Sequence, residues 1–338
     1  MQALGASAQQ ANCHGIVDDM QRLACYDRAA MGTAPRAPAE AVGLPAPAAP
    51  AVQINVTAAP RKDLDGELGA TLANRWELDP SESRGTFLPR AYKPMYVLPV
   101  VYTSAVNRKP TSPNPANVVP VEIPLNPTEA KFQISLKAKA FEGLFNGNGD
   151  VWVGYTQSSR WQVYNAELSR PFHETNYEPE AMLVFRSDYQ LLGLHGRMLG
   201  LSLNHQSNGR ADPVSRSWNR VIAMAGFEEG DWTMVLRPWW RISEAAENDN
   251  NADIENFVGR ADAVISRRWG RHLVSLQLRH SLRSGTNSRG SAELDWAFPI
   301  AGNLKGQVQL FSGYGESLID YNFRQTRIGL GVSLVEWR

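Results

Sequence analysis

The segment Lys131-Phe132-Gln133-Ile134-Ser135-Leu136-Lys137-Ala138-Lys139-Ala140 alternates strictly between polar and apolar side chains. Successive side chains of a β-strand point to opposite faces, so this segment predicts a strand with one apolar and one strongly polar face. The same period recurs at 232–240, 274–279 and 291–298. Turn sequences such as Asn146-Gly147-Asn148-Gly149 separate these runs. The pattern therefore predicts an all-β domain.

The number of strands and the placement of the aromatic residues favour a closed barrel. Residues 85–338 accommodate about twelve strands if each strand and its connection take roughly 20 residues. A soluble β-sandwich would show the same period, but it gives Trp and Tyr no reason to gather at strand ends. Several aromatic residues fall near predicted strand ends: Tyr92, Tyr96, Tyr102, Tyr155, Trp161, Trp239, Trp240, Trp269 and Trp296. We predict a twelve-stranded antiparallel transmembrane β-barrel at 85–338, preceded by an N-terminal periplasmic extension.

The extension divides into three segments by composition. Residues 1–31 form a small segment that contains both cysteines, Cys13 and Cys25. Two alternatives are open for these cysteines. They form a disulfide, which an oxidising periplasm would favour, or they are two unpaired thiols. Residues 32–60 are dominated by Ala and Pro and predict a stiff linker. Residues 61–84 are polar and weakly helical in pattern, and their role stays open.

Charge and hydropathy exclude two classes of protein. The formal net charge is zero and the pI is near 7.0, which argues against a nucleic-acid-binding protein. The mean hydropathy of -0.34 and the lack of a long apolar run argue against a transmembrane helix, but membrane barrels escape that test. The start of the chain lacks the pattern of a signal peptide, and we expect that such a peptide has been removed.

A candidate hydrolytic site lies in one predicted hairpin. His205 and Ser207 share parity with Leu199, Leu201 and Leu203, so a base and a nucleophile stand on an apolar face. On the returning strand, Asn219 has the parity needed to face the same side beside His205. The three residues could equally be an ordinary strand histidine and polar residues that flank a turn. Their position at the head of an apolar outward face favours a Ser-His-Asn site that acts on lipid.

Three further features predict binding functions. The hairpin loop contains Arg210, Asp212, Ser215 and several free carbonyls, an oxygen-rich set that suits a hard cation such as Ca²⁺. Gln157 places an amide on the predicted lipid face, where it contacts either a second protein or interfacial water. The acidic loop 244–253 binds a cation or is simply an exposed, solvated loop.

Three blocks of sequence resemble the bacterial outer membrane phospholipase A family. They are YTQSSRWQVYNAELSRPFHETNYEPE (155–180), HQSNGRADPVSRSWNR (205–220) and SGYGESLIDYNFRQTRIGLGV (312–332). The resemblance implies a twelve-stranded barrel with Ser207 as the nucleophile, His205 as the general base and Asn219 as the residue that orients the base. It also implies that the Gly209 amide helps to polarise the ester carbonyl. Gln206 departs from the acidic residue of this motif, but its parity directs it into the barrel.

The resemblance further implies a calcium-bound homodimer. The Arg210 carbonyl and the Ser215 hydroxyl of one chain would bind Ca²⁺ together with the carbonyl of Ser169 of the partner subunit. Gln157 matches the dimer contact of the family within the membrane. Asp212, with Asp249 and Asp253 of the acidic loop, resembles a second calcium site of the monomer.

The sequence thus predicts an outer membrane phospholipase that hydrolyses acyl esters of phospholipids and lysophospholipids, with A1, A2 and lysophospholipase activity. Hydrolysis would proceed through an acyl-enzyme on Ser207 and would depend on calcium and on dimerisation. Two alternatives are a non-enzymatic, porin-like barrel and a barrel acylhydrolase that acts on lipid A.

Overall fold

A computed structural model of the chain describes Ile16, Gln21, Cys25, 71–302 and 304–337. The chain divides into two compact units, Met1–Ala59 and Pro60–Arg338. In the first unit, Cys25 is half-buried and disulfide-bonded, whereas Cys13 and the linker predicted at 32–60 lie outside the described residues.

The second unit is a closed antiparallel barrel. Each strand from β2 to β13 pairs with the next, and β13 pairs with β2. The short β1 pairs with β3 at Lys137 and Leu136, beyond the end of β2. It therefore continues the position of β2 in the barrel wall. The strands are β1 (Arg90–Ala91), β2 (Met95–Thr103), β3 (Thr128–Phe141), β4 (Asp150–Trp161), β5 (Phe172–Leu191), β6 (Leu194–Ser207), β7 (Ser217–Glu229), β8 (Trp232–Ile242), β9 (Ala261–Trp269), β10 (His272–His280), β11 (Gly290–Ala301), β12 (Leu304–Gly313) and β13 (Gln325–Val335). The predicted all-β, twelve-stranded architecture is confirmed.

Short helical segments occur outside the strands. They are α1 (Leu72–Trp76), α2 (Leu144–Gly147) and the 3-10 turns Pro80–Glu82, Pro115–Asn117, Ile254–Asn256 and Gly285–Asn287. Within the described residues, no helix is long and apolar enough to cross a membrane.

The wall of the barrel places its polar face inside. In β3, Lys131, Lys137 and Lys139 are buried, while Ile134 and Leu136 are exposed on the outer surface. Lys131 Nζ lies 2.9 Å from a carboxylate oxygen of Glu316, so the positive charge of this interior lysine is balanced by an ion pair. Charged pairs inside and apolar side chains outside are the arrangement expected for a barrel wall that contacts lipid.

The two ends of the barrel differ in the length of their connections. At one end, β5–β6, β7–β8 and β9–β10 are joined by two residues each, with Gly193, Gly230 and Gly270 in the left-handed conformation that such turns require. At the other end, long loops include 104–127, 208–216 and 243–260. The candidate hairpin loop therefore lies among long loops, opposite the tight turns.

α1 occupies the interior at the end with the tight turns. Its Trp76 is buried, and the Nζ atom of Lys137 lies 3.0 Å from the centroid of the Trp76 ring. The rings of Tyr92 and Trp152 pack edge-on against Trp76, with centroids at 5.8 and 5.9 Å. α1 is thus packed inside the barrel by aromatic and cation–π contacts.

Candidate active site

The β6–β7 hairpin brings two of the predicted catalytic residues into contact. The register of the hairpin pairs His205 with Asn219, and the Nδ1 atom of His205 lies 2.8 Å from Oδ1 of Asn219. His205 is exposed on the outer wall, on the face that also exposes Leu199, Leu201 and Leu203. A histidine with a fixed ring orientation therefore stands directly above an apolar strip.

Ser207 is the last residue of β6 and is half-buried. Strand alternation directs its side chain to the same face as that of His205, about 7 Å along the strand. Ser207 pairs with Ser217 of β7 and with Tyr177 of β5. Because Nδ1 of His205 faces Asn219, the other ring nitrogen, Nε2, is the one left to act on the serine.

Asn219 also contacts a residue that the sequence motifs did not identify. Its Nδ2 atom donates a hydrogen bond of 3.1 Å to Oε1 of Glu244, which is half-buried just after β8. The register pairs Asn219 with Ile242, so Glu244 continues the outward face two residues later. The sequence indicates the acidic loop only as a cation site or a solvated loop, because the contact of Glu244 depends on the β7–β8 register, which no motif specifies.

Asn208 closes the hairpin loop from inside the barrel. Its side chain is buried, donates to the carbonyl of Val214 at 2.8 Å and accepts from the amide of Arg216 at 3.0 Å. The amide also donates to Glu174 Oε1 of β5 at 3.2 Å. Asn208 thus joins both ends of the loop to the neighbouring strand, a role that motif reasoning missed.

A second brace comes from the β2–β3 loop. The buried guanidinium of Arg216 donates to the carbonyl of Ser215 at 2.7 Å and to the carbonyl of Asn117 at 3.0 Å. Asn117 in turn donates to Oδ1 of Asp212 at 2.7 Å. Burial lowers the pKa of Arg216, and the nearby Tyr321 and carboxylates oppose that shift. The loop conformation is therefore fixed by buried polar contacts.

The predicted calcium ligands are a set of oxygen atoms on two loops. Arg210 and Asp212 are exposed, and the hydroxyl of the half-buried Ser215 accepts a hydrogen bond of 2.7 Å from Asn250. Ser169, on the β4–β5 loop, is exposed and has a φ of 57°. Carbonyl, hydroxyl and carboxylate oxygens are the donors that a hard cation prefers, so the chemistry of this set fits Ca²⁺.

The acidic loop is engaged in other contacts. Asp249 lies 2.6 Å from the guanidinium of Arg241, and Asp253 accepts a hydrogen bond of 2.6 Å from the Tyr321 hydroxyl. Among the residues that the structure describes, no three His, Cys, Asp or Glu side chains are grouped closely enough to hold a metal ion. A cation near Asp212 would therefore depend on carbonyls, hydroxyls and water as well as carboxylates.

Gly209 follows the two catalytic candidates in the left-handed conformation, with a φ of 62°. A Cβ atom at this position would lie 3.1 Å from the Tyr177 ring. The position therefore restricts the residue through both its backbone conformation and the available space.

Gln157 and Gln206 occupy opposite faces of the wall. Gln157 lies in β4 on the outward face, half-buried, where it accepts from the Tyr155 hydroxyl at 3.3 Å and donates to the Ser159 hydroxyl at 3.4 Å. Gln206 accepts a hydrogen bond of 2.8 Å from the indole of Trp218, a fully buried residue. The inward orientation that parity predicted for Gln206 is thus observed.

The model of the family described as Phospholipase A1 matches residues 72–334. The chain belongs to the phospholipase A1 family. The Klebsiella pneumoniae phospholipase A1 is 41% identical over 206 residues, covering 61% of this chain and 70% of its own length. The Salmonella typhi outer membrane phospholipase, solved as a dimer with bound calcium, has a TM-score of 0.66 and 33% identity, and the match covers 79% of this chain and 98% of that one.

A third relative has an asparagine in its own active site. Outer membrane phospholipase A from Escherichia coli, solved as an active-site mutant with an asparagine replaced by alanine, has a TM-score of 0.67 and 32% identity. The match covers 79% of this chain and 99% of that one.

Family membership establishes the class of protein. The chain is a carboxylic ester hydrolase, a phospholipase A1 with an outer membrane β-barrel. The predicted resemblance, enzyme class and location are confirmed, and the non-enzymatic, porin-like alternative is set aside.

Proposed function

We propose that this phospholipase hydrolyses acyl esters of phospholipids and lysophospholipids through a Ser207-His205-Asn219 site, with Ca²⁺ and as a homodimer. The observation that carries the proposal is the hydrogen bond between His205 and Asn219 on the outer wall, above a strip of exposed leucines. The site opens toward the lipid phase, where the acyl chains of its substrates lie. The Escherichia coli relative with an active-site asparagine mutation supports the role of Asn219.

The chemistry begins with a proton transfer. His205 Nε2 accepts the proton of the Ser207 hydroxyl while the serine oxygen bonds to the ester carbonyl carbon. The resulting imidazolium then donates this proton to the leaving lysolipid oxygen as the ester bond breaks. Water, activated in the same way by His205, hydrolyses the acyl-serine, releases the fatty acid and restores the Ser207 hydroxyl.

Asn219 fixes which ring nitrogen carries out these steps. Its Oδ1 atom accepts from Nδ1 of His205, so Nε2 keeps the lone pair that takes the serine proton. Without this contact the ring could rotate or adopt the other tautomer, in which Nε2 carries the proton and cannot act as the base.

The negative charge on the carbonyl oxygen requires donors close to Ser207. The Gly209 amide is proposed as one donor, because the left-handed residue follows the serine by two positions. The Arg210 carbonyl and the Ser215 hydroxyl would hold Ca²⁺ together with the carbonyl of Ser169 of the partner subunit. When bound, the ion would supply positive charge beside the developing oxyanion.

Dimerisation would complete this site and restrict its activity. The Salmonella typhi relative is a dimer with bound calcium, and Gln157 places an amide on the lipid face where a second barrel could pair with it. A monomer would lack the Ser169 ligand, so the enzyme would remain inactive in an intact membrane. Asp212 is proposed as part of a second cation site in the monomer.

The test is fatty-acid release from phosphatidylcholine and lysophosphatidylcholine in detergent micelles, with Ca²⁺ or with a chelator. Ser207→Ala should reduce release by about 10⁴-fold or more, since no nucleophile remains. Ser217→Ala is the matched control, because Ser217 lies opposite Ser207 in the hairpin. This variant should retain most of the activity. Release that persists in Ser207→Ala, or that is indifferent to the chelator, would contradict the proposal. Activity on lipid A alone would instead support the acylhydrolase alternative.

A further inference from the structure

Glu244 lies directly behind the proposed catalytic asparagine. We infer that Glu244 is a positioning residue of the active site, which orients the amide of Asn219 and places a negative charge behind the His205-Asn219 pair. The inference rests on the proposed Ser207-His205-Asn219 mechanism. It starts from the hydrogen bond of 3.1 Å between Asn219 Nδ2 and Glu244 Oε1.

The carboxylate determines the orientation of the amide. An ionised carboxylate can only accept hydrogen bonds, so the end of Asn219 that faces Glu244 must be the NH2 group. The carbonyl oxygen of Asn219 then faces His205, and Nδ1 of His205 must carry a proton to donate to it. With a proton on Nδ1, the neutral ring keeps its lone pair on Nε2, the nitrogen that must act as the base.

The charge of Glu244 also matters for catalysis. His205 becomes an imidazolium when it takes the serine proton, and an asparagine offers this cation only a dipole. A carboxylate one amide group away supplies the missing charge, and at about 7 Å in a partly solvated site it is worth roughly threefold to tenfold in rate.

The strand register explains why Glu244 reaches Asn219. Ile242 pairs with Asn219 and is exposed on the outer face, so Glu244 lies on that same face two residues past the end of β8. One residue before Ile242, Arg241 points to the other side and pairs with Asp249 at 2.6 Å. Arg241, the neighbouring cation, is therefore paired with Asp249, whereas the carboxylate of Glu244 contacts Asn219.

A double-mutant cycle tests the inference in the full-length, calcium-loaded enzyme. Glu244→Gln keeps an oxygen acceptor but removes the charge, and should lower kcat/KM about threefold to tenfold, mainly through kcat. Glu244→Ala should cost more, because it also releases the amide, and Glu244→Asp should recover part of the activity. In an Asn219→Ala background, Glu244→Gln should have a smaller effect, since the amide that Glu244 orients is absent and only the through-space charge remains.

The controls separate a local role from a general one. Glu122→Gln removes an exposed carboxylate from a long loop at the same end of the barrel and should leave kcat/KM unchanged. The thermal midpoint of each variant shows whether the barrel remains folded, and Glu244→Asp provides the comparison if Glu244→Ala does not fold.

Two results would overturn the inference. One is that Glu244→Gln matches Glu122→Gln in kcat/KM, and the other is that it lowers kcat/KM equally with and without Asn219. Inactive Ser207→Ala in the same assay leaves the proposed function intact in both cases. Fully active Ser207→Ala would instead remove the proposed mechanism, and the role of Glu244 with it.

Discussion

At the scale of single residues, Gly209 gives the sharpest prediction. Gly209→Ala forces a side chain into a backbone with a φ of 62° and brings its Cβ to 3.1 Å from the Tyr177 ring. The loop must shift, which moves the proposed amide donor, and kcat should fall about 10-fold to 100-fold. The measurement is fatty-acid release under saturating Ca²⁺ and substrate.

The matched control for this variant is Gly230→Ala. Gly230 has a φ of 55° in a tight turn at the other end, and nothing lies within 4 Å of an added Cβ. The backbone cost is thus similar, about 1 kcal/mol, while the active site is untouched. Equal kcat values for the two variants would show that the position of Gly209 does not matter for the chemistry.

Parity was sufficient to predict some residue positions, because strand geometry is regular. The spacing of His205, Ser207 and Asn219 in an alternating pattern placed them on one outward face, and His205 and Asn219 are in contact in the structure. Glu244 and Asn208 could not be found in this way. Their contacts depend on the β7–β8 register and on the course of a loop, neither of which a period-two pattern specifies.

At the scale of secondary-structure elements, α1 stabilises the barrel without contributing to the site. Trp76→Ala removes a buried ring that packs against Tyr92 and Trp152 and under the ammonium group of Lys137. We expect a loss of about 3 kcal/mol in the free energy of unfolding, measured by urea titration in micelles. Activity below the transition should stay unchanged, because α1 lies at the end opposite the catalytic loop.

Phe87→Ala is the control for α1, since Phe87 lies between α1 and β1 and is 74% exposed. Its removal should change the free energy of unfolding by less than about 0.5 kcal/mol. If both variants lose equal stability, the packing of Trp76 inside the barrel is not what stabilises this end.

The elements themselves were predictable to different degrees. The alternation at 131–140 predicted β3 and its two faces, because the membrane imposes lipid outside and polar contacts inside. The same pattern contains no information on what fills the barrel. The sequence at 61–84 is polar and only weakly periodic. It therefore does not indicate that α1 packs between interior side chains.

At the scale of the whole molecule, the barrel separates two tasks. Its interior is held by ion pairs such as Lys131–Glu316 and by α1, while the proposed catalytic residues lie on the outer surface beside a loop that buried residues brace. The substrate therefore does not need to enter the barrel. An enzyme with its site in direct contact with the membrane needs a control on activity, and the proposed sharing of the site between two subunits would supply one.

A shared site predicts complementation between two inactive chains. Ser169→Pro cannot keep a φ of 57° and loses the hydrogen bond from its amide to Ala166, so its carbonyl should no longer reach the partner's ion. Ser207→Ala lacks the nucleophile but keeps an intact Ser169. In a mixed dimer, Ser207 of the first chain meets Ser169 of the second, and one complete site forms.

Random mixing of the two chains should therefore restore about a quarter of the parent activity, because about half of the symmetric dimers become mixed and each has one site. Ser169→Gly, which tolerates the left-handed conformation, should remain active alone and shows that the backbone, not the hydroxyl, is required. The measurement is Ca²⁺-dependent fatty-acid release after the chains are mixed as monomers in micelles and then allowed to dimerise. A mixture that stays inactive, or a Ser169→Pro chain that is active by itself, would mean that each barrel builds its site without a contribution from the other.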